Sequence, residues 1–347
     1  MKNLCERFPK LFAPLLLVYL LMSACQNSPT GFSNPSSKSI QGITLATWSS
    51  TGYNSFTTAR QIERISEVGA SHLAVLVTAY QDNIHATSIR QDFRKTPEMA
   101  SIQNCIDLAV SQGLKVTLKP HINVDDFSWS GNINPDDAQT WFSSYWDFIL
   151  PLAELAQNNG ASQFIVGTEL AGTLKHKELW QETILKVRDI FSGELLYAAS
   201  WDEATTVPFW QELDFVGINF YFPVANRSDP SRLEILKSWQ PWLNHLEKLQ
   251  KRTGKNLVLT EIGYRSIDGA GMKPHDFRQF SSTDVVEQAD LYWAAFEATH
   301  NVSWINGMFW WNWLADGQGG YNNSDYTPAG KPAELEITNT WKPLDAQ

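Results

Sequence analysis

The chain has 347 residues, of which 43% are hydrophobic and 18% are charged, so it can bury a large core and is not a disordered protein. It carries 27 Lys and Arg against 37 Asp and Glu, a formal net charge of −10, which excludes the basic surface typical of a nucleic-acid-binding protein. Aromatic residues are abundant, with 15 Trp, 18 Phe and 10 Tyr, and such flat amphipathic rings can stack on the faces of sugars.

Residues 1–24 predict a signal peptide of the lipoprotein type. Three of the first ten residues are basic, and the uncharged stretch Leu11–Met22 that follows is shorter than the ~20 apolar residues that span a bilayer. This stretch leads into a Ser-Ala-Cys triplet, which resembles the bacterial lipobox with Met22 in the place of its usual leucine. Cys25 is therefore the predicted lipidation site, and an ordinary signal peptide cleaved nearby is the alternative.

Residues 25–39 are rich in Ser, Pro and Asn, which predicts a flexible tether ahead of a single domain over residues 40–345. We therefore expect an exported, lipid-anchored protein at the bacterial outer membrane or cell surface, in contact with the membrane through its anchor only. Cys5 belongs to the signal and Cys25 to the anchor, so Cys105 alone remains and no disulfide is expected. Cys105 lies in an apolar helical pattern, which predicts a buried, inert thiol.

Eight short apolar runs, most of them without strict polar alternation, predict strands that are buried on both faces of a parallel sheet. The runs are Gly42–Thr47, His72–Thr78, Lys115–Pro120, Gln163–Gly167, Leu195–Ala199, Phe215–Asn219, Leu257–Thr260 and Gly307–Trp311. Longer amphipathic stretches between them predict helices. These are Thr58–Val68, Glu98–Gln112, Ala138–Asn158, Lys177–Phe191, Pro230–Arg252 and Thr283–Thr299.

This alternation predicts an α/β fold, a single (β/α)8 TIM barrel. An open doubly wound sheet is the alternative, but no glycine-rich phosphate loop follows the first strand. The active site of such a barrel lies at the C-terminal ends of its strands. Polar and aromatic residues follow the predicted strands at this end, which favours an active site over a purely structural barrel.

Glu169 and Glu261 end two strongly apolar strands, the fourth and the seventh. An ionised side chain there is costly unless it is paired or exposed to a cleft, and the two strands lie roughly across the barrel mouth from each other. Glycoside hydrolysis needs two carboxyl groups, one to protonate the leaving oxygen and one to attack or to activate water. Either glutamate alone could be a salt-bridged strand end, but the pair among many Trp residues predicts a catalytic pair.

Glutamates at the ends of strands 4 and 7 resemble clan A of the glycoside hydrolases. The local sequence resembles family 113, whose described members are β-1,4-mannanases, in seven ordered stretches: Tyr80–Asp82, Leu118–Ile122, Val166–Leu170, Asn219–Pro223, Leu259–Tyr264, Phe309–Trp313 and Asp325–Ala333. The resemblance implies that Glu169 is the acid/base and Glu261 the nucleophile. Many clan members carry Asn directly before the acid/base. Thr168 stands there in this chain, which fits family 113 and weakens any analogy to the cellulase families.

Ten further residues are predicted to bind substrate: Trp48, Tyr80, Lys119, His121, Asn123, Trp201, Asn219, Tyr221, Trp311 and Trp313. Either Trp311 or Trp313 is expected to form the platform under the reacting sugar, whereas strand alternation places Trp310 in the core. Trp48 and Trp201 are candidates for further sugar subsites or for packing. A hydrogen bond from Tyr221 is expected to stabilise the charged form of Glu261.

Lys119, His121 and Asn123 alternate along the third strand and are expected to point inward, although a structural hydrogen bond would also explain His121. No second His lies near His121 at metal-ligand spacing, and hydrolysis by two carboxylates requires no metal, so neither a metal nor a cofactor is expected.

The predicted function is hydrolysis of β-1,4-mannosidic linkages in mannan, glucomannan or manno-oligosaccharides with retention, by a monomer that binds β-linked oligo- or polysaccharide. Two alternatives stay open: a clan A enzyme for another β-glycan, such as cellulose or xylan, and a non-catalytic sugar-binding lipoprotein. The sequence decides neither the preferred glycan nor endo versus exo action.

Overall fold

The computed structural model describes residues 40–342 and contains a closed barrel of eight parallel strands in sequence order. The strands are β1 Ile40–Ala46, β2 His72–Gln81, β3 Lys115–Val124, β4 Gln163–Thr168, β5 Glu194–Ser200, β6 Val216–Phe220, β7 Leu257–Ile262 and β8 Ile305–Leu314. All eight predicted strands and the predicted (β/α)8 fold are confirmed. The predicted signal peptide, the lipidation site at Cys25 and the tether lie outside the described residues.

Eight α-helices surround the barrel in this part of the chain. They are α1 Phe56–Glu67, α2 Met99–Ser111, α3 Ala138–Asn158, α4 Lys177–Ile190, α5 Arg232–Ser238, α6 Gln240–Thr253, α7 Val285–Thr299 and α8 Pro332–Trp341. Between β5 and β6, residues 201–215 hold a short 3-10 turn at Trp210–Glu212 in place of an α-helix. None of the helices within residues 40–342 has the length and apolarity needed to cross a bilayer.

Local signals explain most helix ends. Asp137 caps α3 by accepting from the Thr140 amide, and Asp284 caps α7 through the amides of Val286 and Glu287. Gly69, Gly113 and Gly160 each lie two residues after the end of α1, α2 and α3, and all adopt a positive φ in the left-handed region.

Two helical features differ from the prediction. The stretch Pro230–Arg252 forms two helices, α5 and α6, because the chain breaks at Trp239, which is followed by Pro241 in the first turn of α6. Proline lacks an amide proton and suits a helix start better than an interior. Helix α8 was not predicted from the sequence at all.

The core has two parts, divided by the strand alternation. Residues such as Ile165, Val258 and Phe309 point into the barrel and form a small inner cluster. Their neighbours point outward and pack under the helices in a larger cluster that includes Cys105, confirmed as a buried free thiol. Gly42 faces the inner cluster, and a Cβ there would lie 2.3 Å from the Phe309 ring, so the ring fills space that only glycine leaves open. The barrel is thus closed beneath its C-terminal end.

Three irregular strands shape that end of the barrel. Between β6 and β7 the pairing passes from Ile218–Leu259 to Asn219–Glu261, so β7 has one extra residue. Similar shifts occur in β4 between Ile165 and Thr168, and in β8 between Trp310 and Trp313. A bulge of this kind moves the following side chains to the other face of a strand. Each of the three bulges lies next to a residue predicted to act in the site.

Candidate active site

Glu169 and Glu261 line the same cavity, of about 900 Å³, at the C-terminal end of the barrel. Leu257 and Leu259 pack outward, so strict alternation would also send Glu261 outward; the β7 bulge turns it inward. Glu169 follows the last residue of β4 with a left-handed φ of 50°, uncommon for a non-glycine residue. Backbone irregularity therefore brings both carboxyls to one space.

Glu261 is buried, and each of its two carboxylate oxygens accepts a hydrogen bond from a different side chain. The predicted hydrogen bond from the Tyr221 hydroxyl reaches Oε2 at 2.8 Å, and the Lys119 ammonium contacts Oε1 at 2.5 Å. Burial and the charge of Glu261 raise the pKa of Tyr221 well above its ordinary value, so its hydroxyl remains a donor. Lys119 is itself fully buried and also donates to the Thr260 carbonyl. Both donors stabilise a negative charge on Glu261.

Glu169 is half-buried and accepts two neutral hydrogen bonds. The Asn219 amide donates to Oε1 at 2.9 Å, and the Trp129 indole donates to Oε2 at 2.8 Å. Burial, followed by the negative charge of Glu261, raises the pKa of Glu169 from 4.5 to about 7. One carboxyl of the pair therefore holds a proton near neutral pH while the other is paired with a cation, an arrangement suited to acid catalysis beside a nucleophile.

Five predicted binding residues line the cavity besides Tyr221: Trp48, His121, Asn123, Trp201 and Trp311. The Trp48 side chain is 46% exposed, and the Trp201 and Trp311 rings are half-buried, so all three leave a ring surface open to a ligand. Burial is the main factor that lowers the pKa of His121, which is therefore uncharged near neutral pH. The cavity thus combines aromatic surfaces with neutral polar groups, a combination that suits sugars.

Lys119 and Asn219 are buried behind the cavity wall rather than exposed to a ligand. Lys119 pairs with Glu261. Asn219 connects the two glutamates, because its amide donates to Glu169 while its oxygen accepts from the hydroxyl of Thr260, the residue before Glu261. These two residues, predicted to bind substrate, instead position the carboxyls.

The structure does not bring Trp313 to the cavity. The β8 bulge shifts the pairing from Ile43–Trp310 to Leu45–Trp313, so Trp313 is buried beneath α1, where its indole donates to Gln61. Of the two candidate platforms, Trp311 alone lines the cavity, and Trp310 stacks on Tyr292 in the core as predicted.

Tyr80 also lies away from the cavity. The loop after β2 folds back over it, with Arg90 pairing to its backbone and the Lys95 ammonium 4.8 Å from its ring centre. The side chain is therefore covered by its own loop.

A group of residues on the loops after β3 and β7 was not predicted from the sequence. Trp129 contacts Glu169, and Phe127, Phe277 and Arg278 also line the cavity. The Arg278 guanidinium donates to the Phe127 carbonyl at 2.8 Å, which ties together two loops that rise from opposite sides of the eight-stranded barrel. Phe127 and Trp129 follow β3 within five residues, and Phe277 and Arg278 lie well beyond β7. All four belong to loops, where neither an apolar run nor a spacing pointed to them.

Comparisons with known proteins agree with this geometry. The sequence model of Glycoside Hydrolase Family 113 matches residues 43–331. Two solved structures, described as a GH113 β-1,4-mannanase and a complex of one, each match at 27% identity and a TM-score of 0.81; the match covers 88% of this chain and 100% and 99% of theirs.

A family 113 β-mannanase from Alicyclobacillus acidocaldarius, 24% identical, shares the fold with a TM-score of 0.80 over 87% of this chain and 96% of its own. A search of curated proteins gave no match.

Proposed function

The chain belongs to glycoside hydrolase family 113, and from that premise we propose that this enzyme cleaves β-1,4-mannosidic linkages in mannan, glucomannan or manno-oligosaccharides with retention. One observation carries the proposal: a proton-holding carboxyl and an ion-paired carboxyl, Glu169 and Glu261, line one cavity of a family 113 barrel. The solved family members that the chain matches at 27% identity are β-1,4-mannanases, which supports mannosidic linkages as the substrate.

In the first step, Glu261 attacks the anomeric carbon of the sugar while Glu169 gives its proton to the glycosidic oxygen. The bond from carbon to the leaving oxygen breaks, an ester bond forms between the sugar and Glu261, and the leaving chain departs with the proton. Lys119 and Tyr221 hold the Glu261 carboxylate in one orientation, so less conformational entropy is lost when the transition state forms.

In the second step, a water molecule replaces the leaving chain. Once Glu261 is an ester, its negative charge is gone, and with it one of the two main causes that raise the pKa of Glu169. Glu169 then ionises more readily, takes a proton from the water, and the resulting oxygen attacks the anomeric carbon. The ester bond breaks, Glu261 recovers its charge, and two inversions give net retention.

The shape and lining of the cavity support a glycan of several sugar units. Its volume of about 900 Å³ lies near the upper end of the roughly 300–1,000 Å³ typical of ligand sites. Trp48, Trp201 and Trp311 lie on three different strand ends around it, so that successive sugar rings can each meet an aromatic face.

The experiment that tests the proposal compares reducing-sugar release from mannan, glucomannan, cellulose and xylan, with the anomeric form of the first product followed by NMR. We expect mannan or glucomannan to be preferred and the first product to be the β-anomer. Preference for cellulose or xylan would overturn the substrate, and an initial α-anomer would overturn the retaining mechanism.

Two variants separate the roles of the glutamates. Glu261→Ala should abolish turnover, and azide should restore it with an inverted glycosyl azide as product. Glu169→Ala should keep activity on substrates with good leaving groups, because these need little protonation. Glu247→Gln, a change at a partly exposed position on α6, is the control. Equal loss on good and poor leaving groups in Glu169→Ala would contradict the assignment of the acid.

We further propose that the enzyme is exported and attached to the bacterial cell envelope by a lipid on Cys25. The support is the sequence of residues 1–25, with its basic start, short apolar stretch and small residues before the cysteine. On the cell surface, such an anchor would let the enzyme meet polymeric mannan before the polymer crosses a membrane.

A further inference from the structure

A second buried carboxyl lies behind Glu169 and has no part in the mechanism described above. Glu203, in the turn after β5, is 5% exposed, and its Oε1 accepts hydrogen bonds from the Ser200 amide at 3.1 Å and the Tyr197 hydroxyl at 3.0 Å. Its Oε2 is buried without a hydrogen-bond partner among the described residues. A carboxyl in this position is costly to bury, so a role beyond packing has to explain it.

The Tyr197 hydroxyl connects Glu203 to the chain beside Glu169. It accepts a hydrogen bond from the Leu170 amide at 2.8 Å, and Leu170 directly follows Glu169. A phenol has one proton to donate, and Tyr197 donates it in the hydrogen bond to Glu203. A lone pair of the phenol oxygen is then directed toward the Leu170 amide. Tyr197 is fully buried and packs edge-on against the rings of Trp180 and Phe209, both with centroids at 5.4 Å, so its hydroxyl has little freedom to move.

The backbone that this hydroxyl holds is strained. Glu169 has a φ of 50°, a conformation that non-glycine residues keep only when their surroundings impose it. Its own amide donates to the Ala198 carbonyl at 2.9 Å, and the next amide donates to Tyr197. Both amides around the strained residue are therefore bonded to β5, the second of them through a side chain that Glu203 orients.

We propose that Glu203 is a positioning residue that acts through Tyr197 to hold the backbone of Glu169, and so aims the acid carboxyl at the leaving oxygen. This inference rests on the proposed function, because it takes Glu169 to be the acid/base. Glu203 is also close enough for the two carboxyls to interact: burial and the charge of Glu169 raise the pKa of Glu203 to about 8. At neutral pH the residue is thus mainly uncharged and adds little negative charge beside the acid.

The role predicts a selective defect. A misplaced acid slows bond cleavage only where the leaving group needs a proton, and a displacement of about 1 Å can cost on the order of a hundredfold in rate. The test measures kcat/KM on mannohexaose and on a dinitrophenyl β-mannobioside, whose leaving group departs unprotonated. Because kcat/KM reports steps up to the first bond cleavage, the later role of Glu169 as a base does not enter the comparison.

Three variants and a control are compared on both substrates. Tyr197→Phe and Glu203→Ala should lose about tenfold to a hundredfold on mannohexaose and stay within about threefold of wild type on the dinitrophenyl substrate. Glu203→Gln keeps an acceptor oxygen for Tyr197 and should restore most of the mannohexaose activity. Tyr145→Phe is the matched control, since this buried hydroxyl of the same aromatic cluster donates to the Val166 carbonyl instead.

Several outcomes would overturn the inference. Equal losses on both substrates, or a Tyr145→Phe defect as selective as that of Tyr197→Phe, would assign Glu203 a general structural role. Unchanged mannohexaose activity in Glu203→Ala would show that Glu203 does not position Glu169. If Glu203→Ala does not fold, Tyr197→Phe and Glu203→Gln still decide between these results. A wild type without β-mannosidase activity overturns the proposed function itself, which the variants do not address.

Discussion

The charge of Glu261 should control the proton on Glu169, and the variant Glu261→Gln tests this directly. Glutamine keeps the size of the side chain and removes its negative charge. The pKa of Glu169, raised from 4.5 to about 7 in the folded chain, should then fall. The full elevation corresponds to roughly 3 kcal/mol, at about 1.4 kcal/mol for each pH unit.

The part of the raised pKa of Glu169 that comes from the charge of Glu261 follows from the groups that raise and lower this pKa. Burial contributes most and the charge of Glu261 comes second, while Trp129, Asn219 and Lys119 act in the opposite direction. Two charges about 5 Å apart, the spacing of retaining enzymes, repel by ~3 kcal/mol at an effective dielectric of about 20. Lys119 contacts Glu261 and cancels part of this repulsion. We therefore expect the pKa of Glu169 to fall by about one pH unit in the variant, or ~1.4 kcal/mol.

Carboxyl-labelled glutamate and a ¹³C NMR titration of the free enzyme measure this pKa, since the variant is expected to be inactive. The resonance of Glu169 is assigned as the one that disappears in Glu169→Gln. Glu247→Gln, which removes a charge from a partly exposed position on α6, should leave the titration unchanged. A pKa of Glu169 that stays the same or rises in Glu261→Gln would refute the coupling, and with it the account of how the acid becomes a base in the second step.

Three further predictions concern stability, loop closure and localisation. Because folding raises the pKa of Glu169, its contribution to stability is present below pH 4.5 and lost as the pH rises through about 7, so Glu169→Gln should raise the unfolding free energy by about 3 kcal/mol at pH 8 and change little at pH 4. Denaturant titrations at both pH values measure this, and an equal effect at both would contradict it. Arg278→Ala, which breaks the link to Phe127 across the barrel mouth, should raise the rate on polymeric mannan relative to mannotetraose, and an unchanged ratio of the two rates would show that the link does not restrict the polymer. Wild-type enzyme should take up labelled palmitate in a bacterial host and Cys25→Ala should not, whereas a wild type without the label, or a labelled Cys25→Ala, would exclude the lipid anchor on Cys25.

Hydrophobic patterning predicted the strands well because both faces of a barrel strand are buried. Runs such as Gln163–Gly167 and Leu257–Thr260 are apolar except for one terminal residue, and the structure extends each by only one or two residues. Helix α8 was missed because Pro332–Trp341 mixes charged and apolar residues over only ten positions, and it lies beyond the last strand, where the alternation gives no further guide.

Side-chain direction at the strand ends was predicted less well, because period-two alternation fails at a bulge. Trp313 was expected to face the same side as Trp311, and the extra residue in β8 turned it beneath α1. Glu261 was placed at the mouth because a paired or exposed carboxyl was needed there, although alternation from Leu259 would have pointed it outward. Chemistry guided that prediction better than periodicity.

Residues that act through long loops could not be found from sequence patterns. Trp129 reaches Glu169 from 40 residues away in sequence, and its position depends on a loop whose course no local signal fixes. Lys119 and Asn219 were singled out as polar residues on apolar strands, but a sequence does not tell whether such a residue meets the substrate or a catalytic carboxyl. That distinction depends on distances of a few ångströms across the barrel.

The buried ion pair of Lys119 and Glu261 is best explained by chemistry rather than by stability. Removing two charges from water costs several kcal/mol for each ion, and buried ion pairs are often matched or exceeded in stability by apolar residues of the same size. The pair nevertheless joins β3 to β7 across the barrel, directly above an inner layer of apolar side chains. A nucleophile beside a second carboxyl must keep its charge, and a fixed ammonium on Oε1 achieves this together with the Tyr221 hydroxyl on Oε2. Because the cation comes from the opposite strand, it holds Glu261 from beneath and leaves the cavity side open to the sugar.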